Sequence, residues 1–202
     1  MAESDTTASA MRAGAIVALW FLLAAAFAAR GLFTVLRPPG PQLMIAGLVV
    51  VAWLATRRIS WLGAWTDMVD PRVLVLPHLF RAVAAVGFLQ ATTRGELPAG
   101  FALPAAWGDL AVAVLAALLL CAGAIRTRYH ARAWQVWNIL GLVDIVLVVA
   151  NAARFGMANP AAMTPMLRLP LALLPSFLVP IVFVTHALLF NRLASTVRNA
   201  PR

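Results

Sequence analysis

The sequence predicts an all-α, polytopic membrane protein: a bundle of six transmembrane helices. Of its 202 residues, 63% are hydrophobic, and the mean hydropathy is +0.89. A soluble domain of this length cannot bury that much apolar surface. The apolar residues also occur in long runs, and a helix of about 17–25 such residues crosses the hydrocarbon core of a bilayer. We predict spans near residues 13–36, 42–57, 71–92, 104–125, 134–152 and 170–191, within a single domain covering 1–202.

The helix starts are marked by prolines. Residues 38–41 read Pro-Pro-Gly-Pro and precede the second run, which is short for a span. Asp70 followed by Pro71 has the pattern of an N-cap with proline at the first helical position. Pro104 is predicted to open the fourth helix in the same way. Gly, Asn-Pro and Thr-Pro breakers predict a loop over residues 155–169.

The charge pattern predicts which side each loop faces. The net charge is +9, and all sixteen basic residues are arginine. In a six-span arrangement ten arginines fall on the side of both termini and five on the other, and one lies within a span. By the positive-inside rule, we expect a protein of the bacterial inner membrane with both termini on the cytoplasmic side. Because these arginines flank apolar runs, we expect membrane lipids as partners and no nucleic acid.

Polar residues within the spans are the candidate functional residues, because such groups are costly at membrane depth. His78 and Arg81 share one helix face. Counting inward from the span ends places His78, Arg81, Asn138 and His186 in an inner layer, Asp144 in the middle and Asp109 in an outer layer.

These layers form a possible polar ladder through the bundle. The charge of Arg81 is permanent and needs a carboxylate, and Asp144 is the expected partner. Asp109 would be a separate outer gate. We predict a carrier or channel-like protein that handles a proton, an ion or a small polar solute along Arg81, Asp109, Asn138, Asp144 and His186. A buried Arg81–Asp144 pair that only fixes helix register is the structural alternative.

Two other functions stay open. His78 and His186, at similar depth on different helices, could ligate the iron of a haem b or another metal in a redox or sensor protein. A membrane-embedded enzyme acting on a lipid or isoprenoid substrate would need a carboxylate that opens to lipid between helices, and Asp109 is the only candidate near an interface. No nucleotide-binding, zinc-protease or serine-hydrolase motif is present in the sequence, so no catalytic residue is assigned and an enzyme is not favoured. The small residues at 24–29 and the short second helix make a homodimer plausible.

Four stretches together resemble an uncharacterised group of small bacterial multi-spanning membrane proteins. They are residues 78–89, 103–110, 137–144 and 174–180, the last followed by His186. The resemblance covers the third to sixth spans and leaves the first two uncovered. It implies an architecture and carries no activity.

Overall fold

The protein is all-helical throughout the part that the computed structural model describes, residues 2–123, 125 and 127–199. Side chains are described for residues 7–123, 125, 127 and 129–194. Two arginines of the charge count, Arg126 and Arg202, lie outside the described residues, and the side chains of Arg128 and Arg198 do as well.

Within the described residues, six helical segments are long and apolar enough to cross a membrane: Thr7–Ala29, Gly40–Arg58, Pro71–Thr93, Ala99–Cys121, Tyr129–Ala158 and Leu174–Ala194. They confirm the predicted all-α, six-span membrane architecture. The α-helices are α1 (Ala2–Ala29), α2 (Gly40–Arg58), α3 (Ser60–Met68), α4 (Pro71–Val75), α5 (Phe80–Thr93), α6 (Ala99–Cys121), α7 (Arg128–Ala158) and α8 (Val179–Asn199). Short 3-10 turns cover Leu32–Val35, Leu76–Leu79 and Ala161–Leu167, and a π-helical turn covers Leu174–Leu178.

The predicted helix start at Pro71 is confirmed, whereas the one predicted at Pro104 is wrong. At Asp70 the side chain accepts a hydrogen bond from the backbone N–H of Arg72 at 2.8 Å, as an N-cap does. Pro104 does not open α6, because that helix begins at Ala99 and the proline lies inside it. A proline inside a helix leaves the carbonyl four residues earlier without its donor. Here that carbonyl, of Gly100, accepts from Nδ2 of Asn151 on α7 at 3.3 Å.

The segment predicted as a long loop is partly helical. The helix α7 continues to Ala158, and the 3-10 turn Ala161–Leu167 follows after only a short break. The Asn159-Pro160 pair therefore ends the helix, whereas Gly156 does not break it.

The core of the bundle is formed by α5, α6, α7 and α8. In this core α5 packs against α6, α6 against α7 and α7 against α8, while α2 packs against α8. The helix α1 is peripheral: its buried residues are Ala13, Ala24 and Ala28, and many of its large apolar side chains, such as Leu19 and Leu22, are exposed. Such outward apolar faces are what a lipid-embedded helix presents.

The bundle has two chemically different ends. At one end, Arg72 Nη2 donates to the carbonyl of Leu120 at 3.2 Å, and Arg192 donates to the carbonyls of Val69 and Thr66. We call this the basic end; it holds residues 57–72, 122–123, 125, 127–132 and 191–194. The opposite end holds residues 30–41, 94–98 and 155–170. We call it the cavity end, because residues of this end line an internal cavity.

Candidate functional site

A buried arginine organises the polar interior. Arg81 lies in the first turn of α5, and its side chain is 1% exposed. Its Nε donates to Oδ1 of Asp109 on α6 at 2.6 Å, and its Nη2 donates to Oδ2 of Asp144 on α7. Its Nη1 donates to the backbone carbonyl of Gly141 at 3.2 Å. We call Arg81, Asp109 and Asp144 the ion cluster.

Sequence reasoning placed Asp144 next to Arg81, and the structure brings them together. It placed Asp109 in a separate outer layer, and that was wrong, because the Asp109 carboxylate contacts the same guanidinium. Counting along helices assigns each side chain the depth of its own backbone. The long side chain of Arg81 crosses those layers, and its planar fork of donors reaches both carboxylates.

Two glycines let the helices approach closely enough for this cluster. A Cβ on Gly108 would overlap the carboxylate of Asp144. A Cβ on Gly141 would lie 2.7 Å from Cε1 of His186. Small residues at helix contacts are the usual means of close packing in membranes. The sequence signal for Gly108 was its place directly before Asp109.

The cluster contains two carboxylates and one guanidinium. Its formal charge is therefore −1 when all three groups are ionised. Asp109 is 4% exposed, and the Asp144 side chain is 22% exposed. No hydrogen bond within the described part of the chain occupies Oδ2 of Asp109.

A second polar group lies one helical turn away, toward the basic end. His78 Nε2 is 3.0 Å from Oγ1 of Thr185, and His186 Nδ1 is 2.8 Å from Oδ1 of Asn138. Nδ2 of Asn138 donates to the backbone carbonyl of His186 at 3.1 Å. The amide is thereby oriented, so its oxygen accepts and His186 Nδ1 donates. We call His78, Asn138, Thr185 and His186 the histidine layer.

The two histidine rings pack directly on each other and do not fit a bis-histidine haem. Their centroids are 4.2 Å apart, and Trp137 lies against both rings. Axial haem ligands approach the iron from opposite faces of a porphyrin, which must lie between the rings. Rings in contact leave no space for it. Among the described residues there is also no group of three or more His, Cys, Asp or Glu side chains that could hold a metal ion.

A cavity of about 410 Å³ leads from the cavity end to the ion cluster. Arg81 and Asp109 form part of its floor, and Arg37 and Thr164 lie near its mouth. Its wall is mainly apolar, with side chains that include Ile45, Ala84, Phe88, Phe101, Ile145, Val148, Met163, Met166, Leu174, Leu178, Val179 and Val182. Sequence reasoning missed this cavity, because it is a property of how five segments pack.

Gln42 is a further polar residue that the sequence did not single out. It lies in the first turn of α2 and lines the cavity. Its Oε1 is buried and has no hydrogen-bond partner among the described residues. The only sequence signal was an amide at the start of an otherwise apolar run.

The other direction is closed by apolar side chains. Between the histidine layer and the basic end lie the buried residues Leu74, Val75, Trp134, Leu189 and Leu193. We call these five residues the apolar seal. The polar interior therefore faces a cavity on one side and packed hydrocarbon on the other.

Comparison with known proteins identifies a family. No curated protein and no solved structure matches the chain. A family model described as "Domain of unknown function (DUF8737)" matches residues 38–194. This match includes α2, which the resemblance noted from the sequence left uncovered. It contains the ion cluster, the histidine layer and the apolar seal. The chain is therefore a multi-spanning membrane protein that belongs to the DUF8737 family.

Proposed function

We propose that this protein is a small carrier that binds and exchanges a proton or a small cation at the ion cluster. The observation that supports this is the ratio of two carboxylates to one guanidinium inside a membrane-spanning bundle. A buried excess charge is costly in a low-dielectric environment. A proton or a cation at the cluster would compensate the remaining negative charge.

The stoichiometry favours this function over a purely structural pair. One carboxylate is sufficient to compensate Arg81 and fix helix register. The second carboxylate adds charge that a structural role does not need. Asp109 faces the cavity, and Asp144 is the more exposed of the two.

The ion cluster is open to one end of the bundle and closed to the other, which supports a carrier rather than a continuous channel. The cavity connects the cluster to the cavity end, whereas the apolar seal separates it from the basic end. A carrier open to one side has this arrangement, and its other access path forms in a second conformation.

Helix irregularities flank the cluster on two sides. The 3-10 turn Leu76–Leu79 lies directly before the helix that carries Arg81. The π-helical turn Leu174–Leu178 supplies cavity-lining residues, among them Pro175. Interrupted helices at the membrane midplane and π-turns are frequent at functional sites.

The test is proton flux in liposomes that contain the purified protein and a trapped pH-sensitive dye, driven by a potassium diffusion potential. We expect flux above that of protein-free liposomes, and its loss in Asp144→Asn and in Asp109→Asn. Glu96→Gln is the control, because Glu96 is an exposed loop carboxylate. Size-exclusion profiles establish that each variant is folded. Flux equal to the empty liposomes, or flux unchanged in both Asp variants, would contradict the proposal.

We further propose that the basic end faces the cytoplasm of a bacterial inner membrane, with both termini on that side. The excess of arginine at that end supports this orientation. The test uses membrane-impermeant thiol labelling after the exposed Cys121 is replaced by serine. Arg94→Cys should be labelled from outside intact cells and Arg132→Cys only after lysis. The reverse pattern would invert the orientation.

A further inference from the structure

The cavity is larger than the proposed exchange of a proton or a small ion requires. Its volume of about 410 Å³ lies in the range of pockets that hold organic molecules, about 300–1,000 Å³. It is lined by five parts of the chain, so an occupant would contact several helices at once. Its size indicates a molecular ligand.

The wall determines the body of that ligand. Phe88 and Phe101 pack edge to face with centroids 5.6 Å apart, and both line the cavity. Aliphatic residues and two methionines complete the wall, and methionine adapts readily to different ligand shapes. Such a surface favours an apolar body.

Two side-chain oxygens in the cavity are available to hydrogen-bond donors of a ligand. Oδ2 of Asp109 and Oε1 of Gln42 are acceptors without partners in the described residues. The guanidinium of Arg81 already donates from all three nitrogens, to two carboxylates and a carbonyl. A ligand that satisfies this site must therefore bring hydrogen-bond donors.

The charge of the cluster determines the sign of the ligand. A cationic head next to Asp109 would compensate the net negative charge of the ion cluster. A carboxylate or phosphate next to Asp109 would add to the negative charge of the ion cluster. A neutral apolar molecule would leave the acceptors of Asp109 and Gln42 unsatisfied, which is unfavourable in a buried site.

We infer that the cavity binds an amphipathic amine, with its apolar body against the cavity wall and its protonated amino group donating to Asp109. This inference rests on the proposed function, because it names the cation that the ion cluster takes. Gln42, nearer the mouth, supplies a second acceptor for a donor on the ligand.

The experiment measures the binding of three naphthyl probes of similar size to the full-length protein in nanodiscs by equilibrium dialysis, with empty nanodiscs subtracted. The probes are 2-(1-naphthyl)ethylamine, its N-acetyl derivative and 1-naphthylacetate. We expect the amine to bind about tenfold or more tightly than either of the others, as hydrogen bonds to charged groups predict. Asp109→Asn should remove this preference by weakening the binding of the amine.

A matched pair of wall variants localises the binding. Ala84 lines the cavity, whereas Val83 on the same helix is 68% exposed on the outer surface. Ala84→Phe should reduce binding of all three probes, and Val83→Phe should not. Size-exclusion profiles of both variants show that a loss of binding is not a loss of folding.

The outcomes separate the two proposals. Equal binding of amine and carboxylate, or equal effects of Ala84→Phe and Val83→Phe, would overturn the amine site. If proton flux depends on Asp144 while the amine is not preferred, the ligand class is wrong and the exchange proposal stands. An amine preference that depends on Asp109, without proton flux, supports the binding site and overturns the exchange of protons.

Discussion

The ion cluster and the histidine layer are neighbouring buried sites with different chemistry. Both draw on the Pro71–Thr93 segment and on α7, and His78 and Arg81 are only one turn apart. Arg81 is bound by two carboxylates, whereas the histidines are bound by the neutral side chains of Thr185 and Asn138. The cluster borders the cavity, and the histidine layer is next to the apolar seal.

This difference shows how the bundle distributes polar groups according to access. A charge removed from all polar solvent costs far more than a hydrogen-bonded neutral group. Arg81 and Asp109 lie where the cavity can admit water or ligand. The neutral hydrogen bonds lie where apolar packing closes the interior.

Removing both carboxylates should have the largest effect on stability. The variant Asp109→Ala/Asp144→Ala leaves Arg81 buried with only the Gly141 carbonyl, and arginine cannot lose its proton. We expect a loss of about 3–5 kcal/mol in the free energy of unfolding, measured by denaturation in detergent. Each single variant retains one partner and should lose about 1–2 kcal/mol.

The exposed carboxylates provide the control for that experiment. Asp67→Ala/Glu96→Ala also removes two carboxylates, but from the surface. Each of these substitutions should change the free energy of unfolding by less than about 0.5 kcal/mol. If the losses in unfolding free energy of Asp109→Ala and Asp144→Ala sum to the loss of the double variant, the two carboxylates do not share Arg81.

Gly108→Ala should have the next largest effect, because its Cβ would occupy the space of the Asp144 carboxylate. Either Asp144 leaves Arg81 or α6 and α7 separate, and overpacking of this kind costs about 2–3 kcal/mol. Gly47→Ala is the matched control, since a Cβ at Gly47 meets nothing within 4 Å. Similar melting temperatures for the two variants would show that Asp144 is not held against Gly108.

Asn138→Ala tests the neutral site. It removes the partner of His186 Nδ1 and the donor to the His186 carbonyl, for an expected loss of about 1–2 kcal/mol. Gln135→Ala, a half-buried amide on the same helix, should have little effect on the denaturation midpoint. Proton flux measured on the same samples tests whether Asn138 and His186 belong to the exchange path, as the ladder prediction requires. Flux that matches the wild type would restrict the path to the ion cluster.

Trp20→Phe should have the smallest effect. Trp20 Nε1 donates to the carbonyl of Ser176 in the π-helical turn at 3.0 Å, and its ring packs edge to face on Phe177. Phenylalanine keeps the packing and loses one hydrogen bond, for a cost of about 0.5–1 kcal/mol in the same denaturation measurement. Trp107→Phe, at a position 61% exposed, is the control. Equal midpoints for the two variants would show that α1 is not held to the turn by this bond.

The spans could be predicted from the sequence because long apolar runs leave a helix as the only stable spanning structure. Helix irregularities were harder to predict. Pro104 has the same local pattern as a helix start, and only the distant Asn151 makes it acceptable inside α6. The 3-10 turn Leu76–Leu79 also interrupts a span, and its His78 packs against Trp137 of α7 and His186 of α8.

The candidate site was only partly predictable. The partnership of Arg81 and Asp144 followed from charge and approximate depth. The position of Asp109 did not, because depth alone does not reveal how far an arginine side chain reaches. The cavity and the role of Gln42 depend on packing between helices that are distant in sequence, which no local pattern contains.

The contact between α1 and the π-helical turn has a consequence for the family. Residues 38–194 contain five of the six spans, and a chain that crosses a membrane an odd number of times has its two ends on opposite sides. The helix α1 makes the number of spans even, so it begins on the side of the membrane on which the final span ends. Through Trp20 it also touches a turn that lines the cavity. A helix outside the family match thus supports part of the wall of the cavity.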